Sequence, residues 1–307
     1  MSRTHSSAER SNIAVIGLGA IGGIVAGLLY ATGRHNIVAC ARRPIDRLIV
    51  ERPDRTIEAP LRALTDPARA EPQDWVLLCT KAQDTAACEP WLRRLCGTNT
   101  RVAVLQNGIG QVERLAPMVG RASIVPTVVY YNGERLEPNR VRYRRAGEHD
   151  LAVGDDADGR AFADLVDGTS IRILVSPDLK TLAWQKLLLN AVANPITALT
   201  LQRQAVFRRE DVKALCLAAV EEAATVGRAD GACLALDEPE RLLATLLTYP
   251  PDAGTSMYFD RLAGRPTEIE ALTGAVVATA ERHNIPTPLN RALFTLMCAI
   301  DHAPITS

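Results

Sequence analysis

The string Gly17-Leu-Gly19-Ala-Ile-Gly22 sets three glycines at the spacing G-x-G-x-x-G, after a short apolar run and before a helical one. In such a turn the first glycine permits a tight bend, the second lets the backbone approach a pyrophosphate, and the third lets helix and strand pack closely. The start of the helix then offers N–H groups and partial positive charge to phosphates. Gly17, Leu18, Gly19, Ala20, Ile21 and Gly22 are therefore candidate dinucleotide contacts. The strand–turn–helix context gives the string its weight; the alternative is a glycine-rich turn without a ligand. An NAD site usually carries Asp or Glu about 20 residues further on, on the ribose 2′-OH. Here the second apolar run ends Val38-Ala-Cys40-Ala-Arg42-Arg43-Pro44, with no acid at its tip. Guanidinium groups suit a 2′-phosphate through charge-assisted hydrogen bonds, so NADP(H) is the expected cofactor, held by Arg42 or Arg43. Ordinary surface arginines would read the same way.

A second group lies in Trp184-Gln-Lys186-Leu-Leu-Leu-Asn190-Ala-Val-Ala-Asn194-Pro-Ile-Thr197-Ala198. Lys186, Asn190 and Asn194 stand at i, i+4 and i+8, on one face of a helix that is otherwise strongly apolar. Buried polar groups need partners, which a substrate cleft supplies. A solvated stripe on an amphipathic helix fits the spacing equally well. Further on, Gly254-Thr-Ser256-Met-Tyr-Phe-Asp260 and Arg265-Pro-Thr267-Glu268-Ile-Glu270 carry more polar candidates. Ser256 and Thr267 are also favoured helix N-caps, and Glu268 near a helix start would also complement the dipole.

These residues need elements to position them. Runs at 12–17, 36–40, 74–80 and 101–106 read as buried strands alternating with helices at 20–32 and 84–95. Repeated β-α units of this kind build a parallel sheet covered on both faces. Segments 123–131, 140–144 and 150–153 read as shorter strands closing the edge of that sheet, followed by a helix at 158–167 and a strand at 171–175. After Ser176-Pro177 the period becomes helical, with helices at 179–199, 210–229, 237–248, 266–283 and 289–301. The expected fold class is α/β: a Rossmann-type doubly wound domain at 12–176 and an all-helical domain at 177–307, with residues 1–11 a disordered tail.

Composition excludes several classes. Of 307 residues, 47% are hydrophobic and 23% charged, with 35 Lys+Arg against 35 Asp+Glu, close to a soluble globular average. The neutral balance offers no global attraction to nucleic acid or an anionic membrane. Seven cysteines, with no C-x-x-C and no Cys/His cluster at metal spacing, read as buried hydrophobes in a reducing compartment; no metal is expected. The apolar stretch at 13–29 is interrupted by five glycines, too broken for a membrane span. The N-terminus lacks an apolar signal region, so the expected location is the cytoplasm.

Taken together, the chain resembles the ketopantoate reductase (2-dehydropantoate 2-reductase) family over roughly 13–296. The carriers are Gly17–Gly22, Thr80-Lys81 after one strand, Gln106-Asn107-Gly108 after another, the run from Trp184 to Ala198, Ser256-Met-Tyr-Phe-Asp260 and Arg265-Pro-Thr267-Glu268-Ile-Glu270. Thr273-Gly274 stands where members often carry Asn-Gly. The resemblance implies NADPH-dependent reduction of 2-dehydropantoate to (R)-pantoate, in pantothenate and coenzyme A synthesis. It implies Lys186 as general acid and Glu268 as second catalytic residue. Asn107 would lie at the cofactor–substrate junction, Asn190, Asn194 and Ser256 on substrate, Lys81 on cofactor, and Arg42 on the 2′-phosphate. The active site would then be a cleft between the domains. Reduction of another 2-keto acid, and a non-catalytic NADP-binding sensor, are the competing readings; a sensor has no need of a proton donor at Lys186. A small keto acid is the expected partner, and a homodimer is compatible with the sequence.

Overall fold

The computed structural model describes residues 10–301; residues 1–9 of the expected tail, and residues 302–307, lie outside the described residues. Contacts divide the chain into two units. The first runs up to Gln106 and from Gln111 to Leu179; the second takes Asn107–Gly110 and the chain from Lys180 onward. The first unit holds β1 (Asn12–Ile16), α1 (Ala20–Tyr30), β2 (Asn36–Cys40), β3 (Leu48–Glu51), β4 (Thr56–Ala59), β5 (Ala63–Leu64), β6 (Gln73–Leu78), α2 (Glu89–Leu95) and β7 (Cys96–Val104). It continues with α3 (Gln111–Val119), β8 (Ser123–Pro126), β9 (Val128–Val129), β10 (Asn132–Glu137), β11 (Arg140–Arg144), β12 (Leu151–Gly154), α4 (Ala157–Val166) and β13 (Ile173–Ser176).

Six strands form one parallel sheet in the order β5-β2-β1-β6-β7-β8. Alternation along each strand builds a core on either face. Ile13, Val15, Trp75, Leu77 and Ala103 point into one cluster with the apolar side of α1. Ala14, Ile16, Val76, Leu78, Val102 and Val104 point into another with Leu92, Leu95 and Leu115. Burial on both faces is why these strands read as continuous apolar runs. The strand order reverses at β1 and β6, and beyond the carboxyl ends of such strands a doubly wound sheet opens a crevice. The glycine turn follows β1 and Thr80-Lys81 follows β6, so the topology brings both to that edge.

The edge strands differ from expectation. Only β8 joins the parallel sheet. β10, β11, β3 and β4 form a separate four-stranded sheet, and β13, β12 and β9 a three-stranded one. The cause is α1: its outer face is apolar too, with eight buried residues in eleven, and β3, β4 and β11 cover it with Leu48, Val50, Ile57 and Val141. The expected helix at 84–95 is two short 3₁₀ turns followed by α2, which starts at Glu89-Pro90; proline is suited to a helix's first turn.

The second unit is helical: α5 (Leu179–Thr200), α6 (Glu210–Ala229), α7 (Glu238–Thr248), α8 (Ser256–Leu262), α9 (Thr273–Arg282) and α10 (Pro288–Asp301). Its core gathers Trp184, Leu188, Val192 and Ile196 of α5 with Phe207, Val220, Leu272, Val276 and Met297. The expected helix at 266–283 begins only at Thr273; residues 268–272 form irregular turns. One bond explains that register. Pro195 lies inside α5 and has no N–H for the carbonyl of residue 191. The Thr273 hydroxyl donates to that carbonyl, Ala191 O, at 2.6 Å, and Thr273 is fully buried. The start of α9 thus supplies the hydrogen bond that the proline removes from α5.

Among the described residues no helix is long and apolar enough to cross a membrane, and no group of three or more His, Cys, Asp or Glu could hold a metal ion. Cys40, Cys79, Cys88 and Cys216 are buried, while Cys233 is exposed, unlike the buried role expected for it. Burial pushes the Cys40 and Cys216 thiols up to about 12.

Three substitutions test this packing. A Cβ at residue 22 would run into the Gly17 carbonyl oxygen and come 2.7 Å from Cys79 Cβ. Gly22→Ala is therefore expected to destabilise the chain by about 1–3 kcal/mol, the usual cost of overpacking, whereas Gly19→Ala, with nothing within 4 Å, should melt like the parent. Thr273→Val strands the Ala191 carbonyl and is expected to cost about 1–3 kcal/mol in denaturant unfolding; an unchanged midpoint would refute the proline–threonine exchange.

Candidate active site

In the first unit the site starts at the turn after β1. Gly17 has φ +92°, a region that L side chains rarely adopt, and an added Cβ would stand 2.8 Å from Thr80 Cγ2 and 2.9 Å from Thr80 N. Fold geometry thus accounts for Gly17 and, through the Gly17 oxygen and Cys79, for Gly22. It does not account for Gly19, whose φ of −73° suits any residue and whose missing Cβ faces open space. A bare backbone there leaves room for a ligand to come close. α1 begins at this glycine with no side-chain cap and no acidic residue in its first turn, so its N-terminal dipole is left to an anion. The turn therefore fits the pyrophosphate of a dinucleotide. Leu18 is buried, and Ala20 and Ile21 are half-buried.

Thr80 and Lys81 are held from the neighbouring strand by Gln106, a buried residue that sequence reasoning gave no role. Its Nε2 donates to Thr80 Oγ1 at 3.1 Å, to the Lys81 carbonyl at 3.3 Å and to Thr85 Oγ1 at 2.9 Å. The Gln111 side chain donates to the Gln106 carbonyl at 2.6 Å. Lys81 is half-buried, at the start of a 3₁₀ turn. Arg42 and Arg43 are both exposed just past β2. Burial raises the Cys88 thiol, with Thr80 and Arg42 offsetting part of that rise, and the Cys88 Sγ meets Thr80 Oγ1 at 3.5 Å.

The second unit brings together three residues far apart in the chain. Lys186 Nζ donates to Asn107 Oδ1 at 2.9 Å, and Asn107 Nδ2 donates to Glu268 Oε2 at 3.1 Å. The chemistry fixes the amide: an ammonium has only donors and a carboxylate only acceptors, so the oxygen faces Lys186 and the NH₂ faces Glu268. Burial holds the Lys186 ammonium down at about 8, while the Glu268 carboxylate pulls it upward. A lysine so poised exchanges its proton near neutral pH. Asn107 is presented by a backbone that only glycine allows: Gly108 has φ +90°, and a Cβ there would strike the Ala271 carbonyl oxygen. Ile109 then packs on the helical core.

Asn190 and Asn194 follow Lys186 along α5, half-buried and buried respectively. Ser256 is exposed at the first position of α8. It is not the cap of that helix. Thr255 is, accepting from Tyr258 N at 3.1 Å, and its hydroxyl is 2.7 Å from Thr197 Oγ1 of α5. Thr267 caps no helix either: its N–H and hydroxyl both donate to Asp301 Oδ2, at 3.1 and 2.7 Å. Glu268 lies five residues before α9, buried, and is no partner for that helix's dipole. Thr255 thus takes the cap expected of Ser256, and tertiary contacts replace the capping reading of Thr267 and the dipole reading of Glu268.

Comparison with known proteins agrees with this layout. The family model described as "Ketopantoate reductase PanE/ApbA" matches residues 13–157, and its "C terminal" companion matches 178–301. A 2-dehydropantoate 2-reductase of Caulobacter vibrioides is 39% identical over 292 residues, 94% of this chain and 99% of its own. One from Mycobacterium tuberculosis is 37% identical over 296 residues, 96% of this chain and 99% of its own. A dimeric ketopantoate reductase from Staphylococcus aureus superposes with a TM-score of 0.83 at 25% identity, covering 94% of this chain and 98% of its own. A dinucleotide cradle, a poised lysine and these matches across both units agree: the chain belongs to the ketopantoate reductase family of oxidoreductases.

Proposed function

We propose that the protein reduces the keto group of 2-dehydropantoate to (R)-pantoate with NADPH, the reduction that serves pantothenate and coenzyme A synthesis. The observation that carries this reading is the chain Lys186–Asn107–Glu268, with its ammonium near the bottom of the lysine range. The bare Gly19 and the uncapped start of α1 support a dinucleotide. Arg42 and Arg43 both stand exposed just past β2, and the motif resemblance gives the 2′-phosphate to Arg42; Lys81 would add a second positive charge.

A bound reduced nicotinamide supplies the hydride. Negative charge then develops on the substrate's keto oxygen, and in a site that excludes water it needs a proton or a fixed positive group. Lys186 meets both needs: its N–H bond breaks as the O–H bond of the product forms, leaving a neutral amine. Asn107 fixes the ammonium by accepting from it, and Glu268 fixes Asn107 by accepting in turn. Glu268 also keeps the lysine protonated more fully than burial alone would. The amides of Asn190 and Asn194 and the hydroxyl of Ser256 would hold the carboxylate and hydroxyl ends of the substrate, with Asn107 at the junction of substrate and cofactor.

General acid catalysis is typically worth about 10²–10⁴-fold, so Lys186→Ala should lower kcat by at least that order while NADPH binding, read by fluorescence titration, persists. Near-normal turnover of 2-dehydropantoate by this variant, or better turnover of another 2-keto acid from a panel by the parent enzyme, would overturn the reading. The pH dependence has a definite sign. With Lys186 lowered to about 8, reduction should decline as pH rises through that value, and the reverse oxidation, which needs the neutral amine, should rise over the same range.

Cofactor choice is tested separately. Hydrogen bonds to charged groups are worth about 1.5–3 kcal/mol, so Arg42→Ala should raise KM for NADPH by about 10- to 150-fold and leave that for NADH nearly unchanged. Equal kcat/KM for the two nucleotides in the parent enzyme would exclude a 2′-phosphate contact.

A further inference from the structure

Glu268 occupies a stretch of irregular turns, between Pro266 and the start of α9. Regular geometry therefore does not set the direction of its carboxylate. On its C-terminal side the turn is closed by Leu272 N donating to the Glu268 carbonyl at 3.1 Å and Gly274 N donating to the Ile269 carbonyl at 2.9 Å. On its N-terminal side one oxygen does the work. Asp301 Oδ2, on the last residue of α10, accepts from both donors of Thr267, the N–H at 3.1 Å and the hydroxyl at 2.7 Å. Thr267 is 4% exposed and is bonded covalently to Glu268. Two bonds to a carboxylate, each charge-assisted, fix a backbone position and a side chain at once.

We propose that Asp301 is a positioning residue for the reduction: by gripping Thr267 through both donors it keeps the Glu268 carboxylate on Asn107 and so keeps Asn107 on Lys186. This rests on Lys186 as the proton donor. Asp301 touches no reacting atom; it acts through the turn. The ionisable groups around the turn include Arg265 just before it, paired with Asp260 of α8 at 3.0 Å, Glu268 and Glu270 on the turn itself, Lys186 on α5, and Cys298 and Asp301 on α10. The Cys298 thiol is raised by burial and by Glu270 and Asp301.

The test compares three variants of the full-length enzyme by the pH profile of kcat/KM for NADPH-dependent reduction of 2-dehydropantoate, with thermal melting alongside. Asp301→Ala removes the acceptor, Thr267→Val removes one donor and keeps the shape, and Asp301→Asn keeps an acceptor oxygen but not the charge. An opposite charge within about 4–6 Å raises a lysine by about 1–3 units. Loosening Glu268 should therefore move the alkaline limb of Asp301→Ala down by about half a unit or more, and that of Thr267→Val in the same direction. Asp301→Asn should restore the parent limb. A limb that does not move in folded Asp301→Ala overturns the proposal, and where that variant does not fold, an unmoved limb in Thr267→Val overturns it. An equal shift in Asp301→Asn also overturns it, since the effect would then be charge at a distance. Failure of the underlying reading shows differently: Lys186→Ala would keep its turnover.

Discussion

An ammonium group drawn out of water is unfavourable unless groups of opposite polarity face it, and the helical unit is organised around meeting that condition at Lys186. The helix that carries the lysine is buried along most of its length, and three of its polar or irregular points meet other segments. Asn107 answers the ammonium. Thr273 answers the carbonyl that Pro195 leaves open. Thr197 answers Thr255, the cap from which the helix bearing Ser256 starts. These fixings lie along successive turns of α5, so the helix acts as the spine from which the surrounding loops take their positions. A lysine in such a setting is costly for stability and useful for chemistry for the same reason, since the burial that disfavours its charge also makes its proton easy to give up.

The dinucleotide-binding part was largely legible in the sequence because its signals are local. A buried strand, three glycines and a helix follow one another within about a dozen residues, and the alternation of Ile13–Ile16 and Trp75–Leu78 states which side chain faces which core. The elements that eluded the sequence are those whose state is set by distant packing. β3 and β4 exist because α1 needs a cover for its outer face. The short helix α3 contains Pro117, which masks it from propensity. The threonine that starts α9 was hidden inside a longer helical period, since nothing near residue 273 announces a bond to residue 191. Likewise Ser256 is a better cap than its neighbour on statistics alone, yet Thr255 takes the role because Thr197 stands opposite.

The residues around Lys186 show the same division more sharply. The spacing of Lys186, Asn190 and Asn194 announced a polar helix face, and that face fitted a solvated surface just as well. What separates the two is contact at sequence separations of 79 and 161 residues, which no periodicity carries. Only the resemblance to a family gave Asn107 and Glu268 their roles before the structure joined them; Gln106 entered only as part of the motif Gln106-Asn107-Gly108, and Asp301 had no sequence signal beyond being polar.

The allocation of residues 107–110 to the helical unit bears on how such enzymes recombine. A chimaera joined near residue 179 exchanges what looks like a complete nucleotide-binding module. Yet Asn107 would come from one parent and Lys186 and Glu268 from the other, so the hydrogen-bonded chain would be assembled from two lineages. Gly108 would likewise have to fit a foreign carbonyl at position 271. An exchanged first unit must therefore bring a tetrapeptide at 107–110 that matches the helices of the second.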